Sequence, residues 1–178
     1  MIIEYYAENF AVVDEKKLRQ PRIPNEEFER IHKNSVIVTH DVAIWYQNGF
    51  LLLERGNNPA RGELWPVGGR IERGVPVEES LQKKAREECG LIIYNGGFLG
   101  MGRTFFETEP FGHGCGTDTI NMMFYAEGAG EIKIDSNHKR YKIFSVEEIL
   151  SGRQQFHPYV KQILSESIKR RDKNAESI

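Results

Sequence analysis

A chain of 178 residues with a net charge of −2 is long enough for one domain with a full core, and 39% hydrophobic with 28% charged content is ordinary for a globular protein. That balance excludes nucleic-acid binding built on a large basic excess, and no apolar run approaches the roughly 20 residues that span a bilayer, so a cytoplasmic protein with a small-molecule partner is expected. Two cysteines, Cys89 and Cys115, indicate neither a disulfide framework nor a zinc site.

In chain order, Ile2 to Tyr6 reads as a short strand and Asp14 to Pro24 as a charged connection broken by Pro21, so residues 1–24 form an appended arm. Asn25 can cap a short helix through about His32. Ser35 to Tyr46 is rich in β-branched and aromatic residues, Asn48-Gly49 marks a tight hairpin, and Phe50 to Glu54 is the continuous apolar run of a strand buried on both faces. A glycine-rich loop from Gly68 to Gly74 precedes a helix from Pro76 to Cys89. Pro76 suits its first turn, Glu78 and Glu79 suit its positive end, and Gly90 stops it. Val77, Leu81, Ala85 and Cys89 recur every fourth residue as a buried stripe. Strands are expected at Leu91–Tyr94, Phe98–Phe106, Thr119–Glu127 and Tyr141–Phe144. Ser145 with Glu148 makes a capping box, and Pro158 opens a last helix through about Lys169 ahead of a disordered tail at 171–178. Irregular alternation without repeats predicts an α/β/α sandwich with a central mixed sheet over residues 25–170.

The chemistry concentrates in Gly68-Gly69-Arg70-Ile71-Glu72-Arg73-Gly74 and, at helical distance, Ala85-Arg86-Glu87-Glu88-Cys89-Gly90-Leu91. Glycines let backbone approach a charged ligand, and a helix start offers N–H groups to phosphate. Positions 84, 87 and 88 share an arc of about 100° beside the stripe, where carboxylates can hold a metal. Together the two segments resemble the signature box of the Nudix hydrolases, Mg-dependent enzymes that cut nucleoside diphosphates linked to another group. Gly69, Glu87, Glu88, Gly90 and Leu91 fit that pattern, whereas Val75 stands in place of a Glu and Lys83-Lys84 in place of an Arg-Glu pair. An ammonium in place of a carboxylate repels a nearby cation, so one metal ion rather than several is expected, and Lys84 can pair with Glu88.

Beyond the box the chain is similar to the GDP-mannose mannosyl hydrolase branch of that family. Arg55, Asn57, Pro59, Gly62, Trp65 and Arg70 carry the likeness, as do Gly116-Thr117-Asp118 and the run from Asp135 to Tyr141, so that it extends from about Pro24 to Tyr159. The resemblance implies Mg²⁺, with Mn²⁺ as a substitute, held by Glu88, the Gly68 carbonyl and Asn137, with Glu87 binding directly or through water. It also implies His138 as the base, Asp41 as a substrate contact, a nucleotide-sugar substrate and a homodimer. Arg55 and Arg70 suit leaving-group stabilisation, since a guanidinium fork binds two phosphate oxygens and stays charged. In this branch water attacks the sugar carbon. Three rivals remain: a pyrophosphatase cutting at phosphorus, a non-catalytic nucleotide binder with a decayed box, and an interaction module using the arm.

Overall fold

The computed structural model of the chain describes residues 2–8, 11–21 and 23–175. Strands β1 (Ala7–Glu8) and β2 (Ala11–Val12) pair antiparallel ahead of a 3-10 turn at Glu15–Leu18 and helix α1 (Asn25–Asn34). There follow β3 (Ile37–Tyr46), β4 (Gly49–Arg55), β5 (Leu64–Trp65), β6 (Val67–Arg70) and helix α2 (Val77–Cys89). The chain continues through β7 (Ile92–Phe106), β8 (Thr117–Ala129), β9 (His138–Phe144), α3 (Val146–Leu150) and α4 (Pro158–Ala175). The main sheet runs β5-β4-β3-β8-β7, with β6 added to β3 and β9 to β4. β3 and β8 are parallel and the other pairs antiparallel, which makes the sheet mixed, as expected.

Alternation along the central strands builds two cores. Val42, Ile44, Leu51 and Leu53 face Leu81, Ala85 and Cys89 of α2, while Ala43, Phe50 and Leu52 face Val160, Ile163 and Leu164 of α4. Both faces of β4 are covered, so Phe50–Leu53 has no solvent side to mark with a polar residue. Gly90 stops α2 in the left-handed conformation at φ 76°, its N–H donating to the Arg86 carbonyl (3.1 Å). The Ser145–Glu148 capping box is formed in both directions.

Several elements differ from the sequence expectation. Residues 2–6 form no strand, because they dock on α2 instead: the Glu4 carboxylate accepts the Val77 N–H (3.1 Å) and Ile2 packs against the α2-side core. Arg19 then ties the arm to its own domain through the Gly74 carbonyl (3.2 Å) and Glu79 (2.6 Å). Asn25 lies inside α1, with Pro24 at the cap position and no side-chain capping bond. The hairpin turn uses positive φ at Gln47 and Asn48, so Gly49 already belongs to β4. The two strands expected between Leu91 and Phe106 are one, interrupted by bulges at Tyr94/Gly97 and Phe98/Gly100. β5 and β6 were not anticipated, since short glycine-containing strands are fixed by their partners rather than by propensity. α4 runs on through residues 171–175, where a tail was expected, and residues 176–178 lie outside the described residues. Among the described residues no helix is long and apolar enough to cross a membrane.

Candidate active site

The face of the sheet that packs α4 turns polar where that helix ends. Ala43 and Met123 belong to the core, but two and four residues earlier the same strand faces carry Asp41 and Thr39 on β3 and Asn121 and Thr119 on β8, which line a cavity of about 370 Å³. Gly68 of β6 pairs with Asp41, where any side chain would collide with the His40 carbonyl oxygen and the Asp41 carboxylate. α2 packs on β6 and brings Glu88 in, its Oε2 accepting the Gly68 N–H (3.2 Å). The carbonyls left unpaired at the end of α2 are taken by the segment returning from β8: Lys133 N–H donates to Cys89 O (2.9 Å) and Asp135 N–H to Glu88 O (3.1 Å). Asn137 and His138 are thereby carried into the cavity wall.

Burial sets the electrostatics. The Glu88 side chain is 13% exposed, and burial pushes its carboxyl up to about 7 although Lys84 and the Gly68 N–H pull the other way. Burial likewise pushes Asp41 up to about 7, against the Tyr159 hydroxyl that donates to it (2.7 Å) and the charge of Arg55. Arg55, itself lowered by burial, donates through Nε to the Pro59 carbonyl (2.7 Å). The Arg70 guanidinium stacks 4.0 Å over the Phe28 ring.

Asp41, Arg55, Gly68, Arg70, Glu88, Asn137 and His138 therefore line one cavity. Glu87 does not join them: half-exposed at 50%, it faces Lys83 (3.9 Å) and Lys84 (3.8 Å). Lys84 does line the cavity, its Nζ 4.0 Å from Glu88 Oε1. His138 Nδ1 donates to Asp135 Oδ1 (2.6 Å), which leaves Nε2 with the lone pair. Sequence reasoning missed Asp135, whose spacing of three before His138 was the available signal. It also missed Tyr159, which stacks on Trp65 with a ring-centroid distance of 5.5 Å and which no local pattern marks.

A further wall comes from the loop between β7 and β8. Glu109 accepts the N–H groups of Phe111 (2.5 Å), Gly112 (2.8 Å) and Gly114 (3.0 Å), and His113 meets His32 of α1 at 2.9 Å. His113 Nδ1 accepts the Cys115 N–H (3.1 Å), so its proton sits on Nε2 and is donated to His32 Nδ1. The bond requires a neutral His32, whose Nδ1 accepts it. Burial, then His113, lower the pKa of His32, while Glu109 opposes them. The Arg70 guanidinium lies over the Phe28 ring that meets His32 edge-on. The latched form thus binds fewer protons than the open one, and the contact is complete above about pH 6.5 and weakens as pH falls below it. Amide exchange at residues 107–116, corrected for intrinsic rates, is expected to accelerate between pH 7 and 5.5, and His32→Gln is expected to flatten that dependence. A flat wild-type profile counts against the latch.

The sequence matches the model of the NUDIX domain across residues 37–165. The chain belongs to the Nudix family. Over 150 residues it is 31% identical to the low-salt glycan biosynthesis protein Agl8 of Haloferax volcanii, covering 80% of this chain and 89% of that one. Over 113 residues it is 31% identical to an ADP-ribose pyrophosphatase of Methanocaldococcus jannaschii, covering 63% of each. Among solved structures, a MutT NUDIX hydrolase from Burkholderia pseudomallei aligns with a TM-score of 0.60 at 18% identity, over 75% of this chain and 98% of that one. The NUDIX domain of Shewanella oneidensis NrtR, complexed with ADP ribose, gives 0.60 at 14% identity over 83% and 99%. These structural likenesses carry the fold.

Nudix hydrolases act on small nucleotide derivatives and use a divalent cation such as Mg²⁺. The Nudix cavity here fits a hard cation as a partial seat. Among the described residues no three His, Cys, Asp or Glu side chains form a cage, but Mg²⁺ keeps waters and takes only one or two carboxylates. Glu88 supplies a buried carboxylate that Asp135 and Asp41 push further from ionisation, so extra positive charge beside it is favoured. Asn137 is braced for the same seat, its side-chain N–H donating to Asp135 (2.9 Å) and its Oδ1 accepting from Asn57 (3.1 Å).

Proposed function

We propose that this Nudix hydrolase cleaves a nucleoside-diphosphate sugar, GDP-mannose foremost, into the nucleoside diphosphate and the free sugar by water attack at the anomeric carbon. The observation that supports it is the pairing of His138 with Asp135 at 2.6 Å inside the cavity, while the box carboxylate of ordinary members is replaced by Lys84. In this reading His138 supplies the base that the box, with Lys84 in place of its carboxylate, lacks. The name of the Agl8 relative, which concerns glycan biosynthesis, accords with a sugar-bearing substrate.

In this reading the carboxylate of Asp135 fixes the His138 tautomer, and Nε2 takes a proton from water as its oxygen bonds to the anomeric carbon. The bond from that carbon to the diphosphate oxygen breaks, and the electron pair leaves with the nucleotide. Arg55 and Arg70 stabilise that oxygen, and the partial burial of Arg55 strengthens its share. Glu88, Asn137 and the Gly68 carbonyl would hold Mg²⁺, which would supply further positive charge to the leaving diphosphate.

A second reading, cleavage at phosphorus to a nucleoside monophosphate and a sugar phosphate, is favoured by the relative named ADP-ribose pyrophosphatase. A third, binding without turnover, is favoured by the Lys84 ammonium 4.0 Å from Glu88. A panel of GDP-sugars, ADP-ribose and nucleoside triphosphates, incubated with and without Mg²⁺ in heavy-oxygen water, separates the three. Label on the free sugar is the expected result. Label on phosphate establishes the second reading, and affinity without product the third.

A further inference from the structure

One wall of the cavity has no part in the chemistry above. Thr39, Asn121, Thr104 and Thr119 lie side by side on β3, β8 and β7, since Thr39 pairs with Asn121 and Thr119 with Thr104 in the sheet register. All four line the cavity, and Thr104, Thr119 and Asn121 are 6%, 8% and 5% exposed. Such polar groups sit on a face that turns apolar four residues beyond Thr39, at Ala43, and two beyond Asn121, at Met123. Burying them is costly unless their hydrogen bonds are made.

The bonds within the group do not exhaust it. Thr39 donates to Asn121 Oδ1, the Asn121 amide donates to Thr104 (3.0 Å), and Thr104 and Thr119 share one bond (2.7 Å). Three hydroxyls and one amide bring five hydrogens to donate, and these contacts use three, leaving two with no partner among the described residues. The floor is thus uncharged, donor-rich and recessed. A phosphate would require cations, and the four floor side chains are neutral; Arg70, the register partner of Thr39 on β6, holds its guanidinium over the Phe28 ring, and Arg55 lies on β4. A flat base would require a ring to stack on, and the cavity's rings, Trp65 and Phe106 among them, stand beside these four side chains rather than among them. A neutral ring bearing several hydroxyl oxygens matches it.

Position agrees with that chemistry. Thr39 is two residues along β3 from Asp41, roughly 7 Å, and Asp41 pairs with Gly68 beside Glu88. A group on the floor is therefore a neighbour of the reacting bond rather than of the far end of a nucleotide.

We infer that the Thr39–Asn121–Thr104–Thr119 floor is the glycosyl subsite, reading the hydroxyls of the sugar through its two unspent donors. This rests on the proposed nucleotide-sugar substrate and assigns it a place. The test is calorimetric binding of GDP-mannose and of GDP, each with Mg²⁺, on a His138→Gln background so that ligand is not consumed. Thr119→Val and Thr104→Val remove one hydroxyl each, and Thr39→Val, at a half-buried position, serves if either fails to fold. The expected result is about a 10-fold weakening for GDP-mannose with GDP affinity unchanged. Equal loss for both ligands places the nucleotide on the floor and overturns the inference, as does no loss for either. Phosphorus cleavage in heavy-oxygen water would overturn the proposed reaction alone, because this comparison measures binding.

Discussion

Glu88→Gln is expected to lower the Mg²⁺-dependent rate roughly 10³-fold or more and to leave a residual rate that no longer responds to Mg²⁺, in line with the several kcal/mol a metal contributes to charge stabilisation. Glutamine keeps the size of the side chain and an oxygen that accepts the Gly68 N–H, so β6 and α2 stay joined and the loss reports charge rather than folding. The charge matters because Glu88 is the one box carboxylate that lines the cavity, and it does so with Lys84 4.0 Å away. On the proposed reading Mg²⁺ and this ammonium compete for it. Lys84→Gln should therefore tighten the apparent affinity for Mg²⁺, moving the half-saturating concentration down, while Glu87→Gln, half-exposed and turned to Lys83 and Lys84, should change the rate less than about threefold. Mg²⁺ titrations of product release on the three variants check this. A Glu88→Gln enzyme that still responds to Mg²⁺ would show that the seat is elsewhere, and a Glu87→Gln enzyme that does not would show where.

The contrast between these neighbouring carboxylates illustrates how far the sequence could be read. The helix bearing both was legible because its stripe, its stop at Gly90 and its acidic start are local, and local rules decide them. Which of two adjacent glutamates turns inward depends on where β6 lies, and β6 has no signal of its own beyond two glycines. The same holds for the arm: Ile2 to Tyr6 has strand composition, but Glu4 finds the open N–H at the start of α2, a contact across 73 positions that no window of sequence contains. The polar floor escaped for the reverse reason. Thr119 and Asn121 alternate with apolar residues as in any half-exposed strand, and only the end of α4 at Pro158 leaves that face uncovered. Asp41 was named on family likeness, Arg55 and Arg70 on that likeness together with the phosphate chemistry of a guanidinium, and the cavity brings them together without local pattern explaining why.

His138→Gln is expected to lower kcat about 10²- to 10⁴-fold with KM and the Mg²⁺ requirement unchanged, the loss typical of removing a positioned base. Asp135 makes this a test of arrangement as well as of identity. Its Oδ1 accepts both the His138 ring N–H (2.6 Å) and the Asn137 backbone N–H (3.1 Å), while Oδ2 accepts the Asn137 amide (2.9 Å). One carboxylate thus holds both the proposed base and the amide proposed as a metal ligand. Asp135→Ala should consequently lower kcat and also weaken the response to Mg²⁺, a double signature that His138→Gln lacks. Asp135→Asn keeps an oxygen for the ring and falls between them. Residues acting as one unit are strongly non-additive, so adding Asp135→Ala to His138→Gln should cost little more kcat than His138→Gln alone while still shifting the Mg²⁺ titration. Rate losses that multiply would mean that Asp135 and His138 serve separate steps, and an undiminished kcat in His138→Gln would remove the imidazole from the reaction and return the choice of base to the cavity's carboxylates, Asp41 foremost.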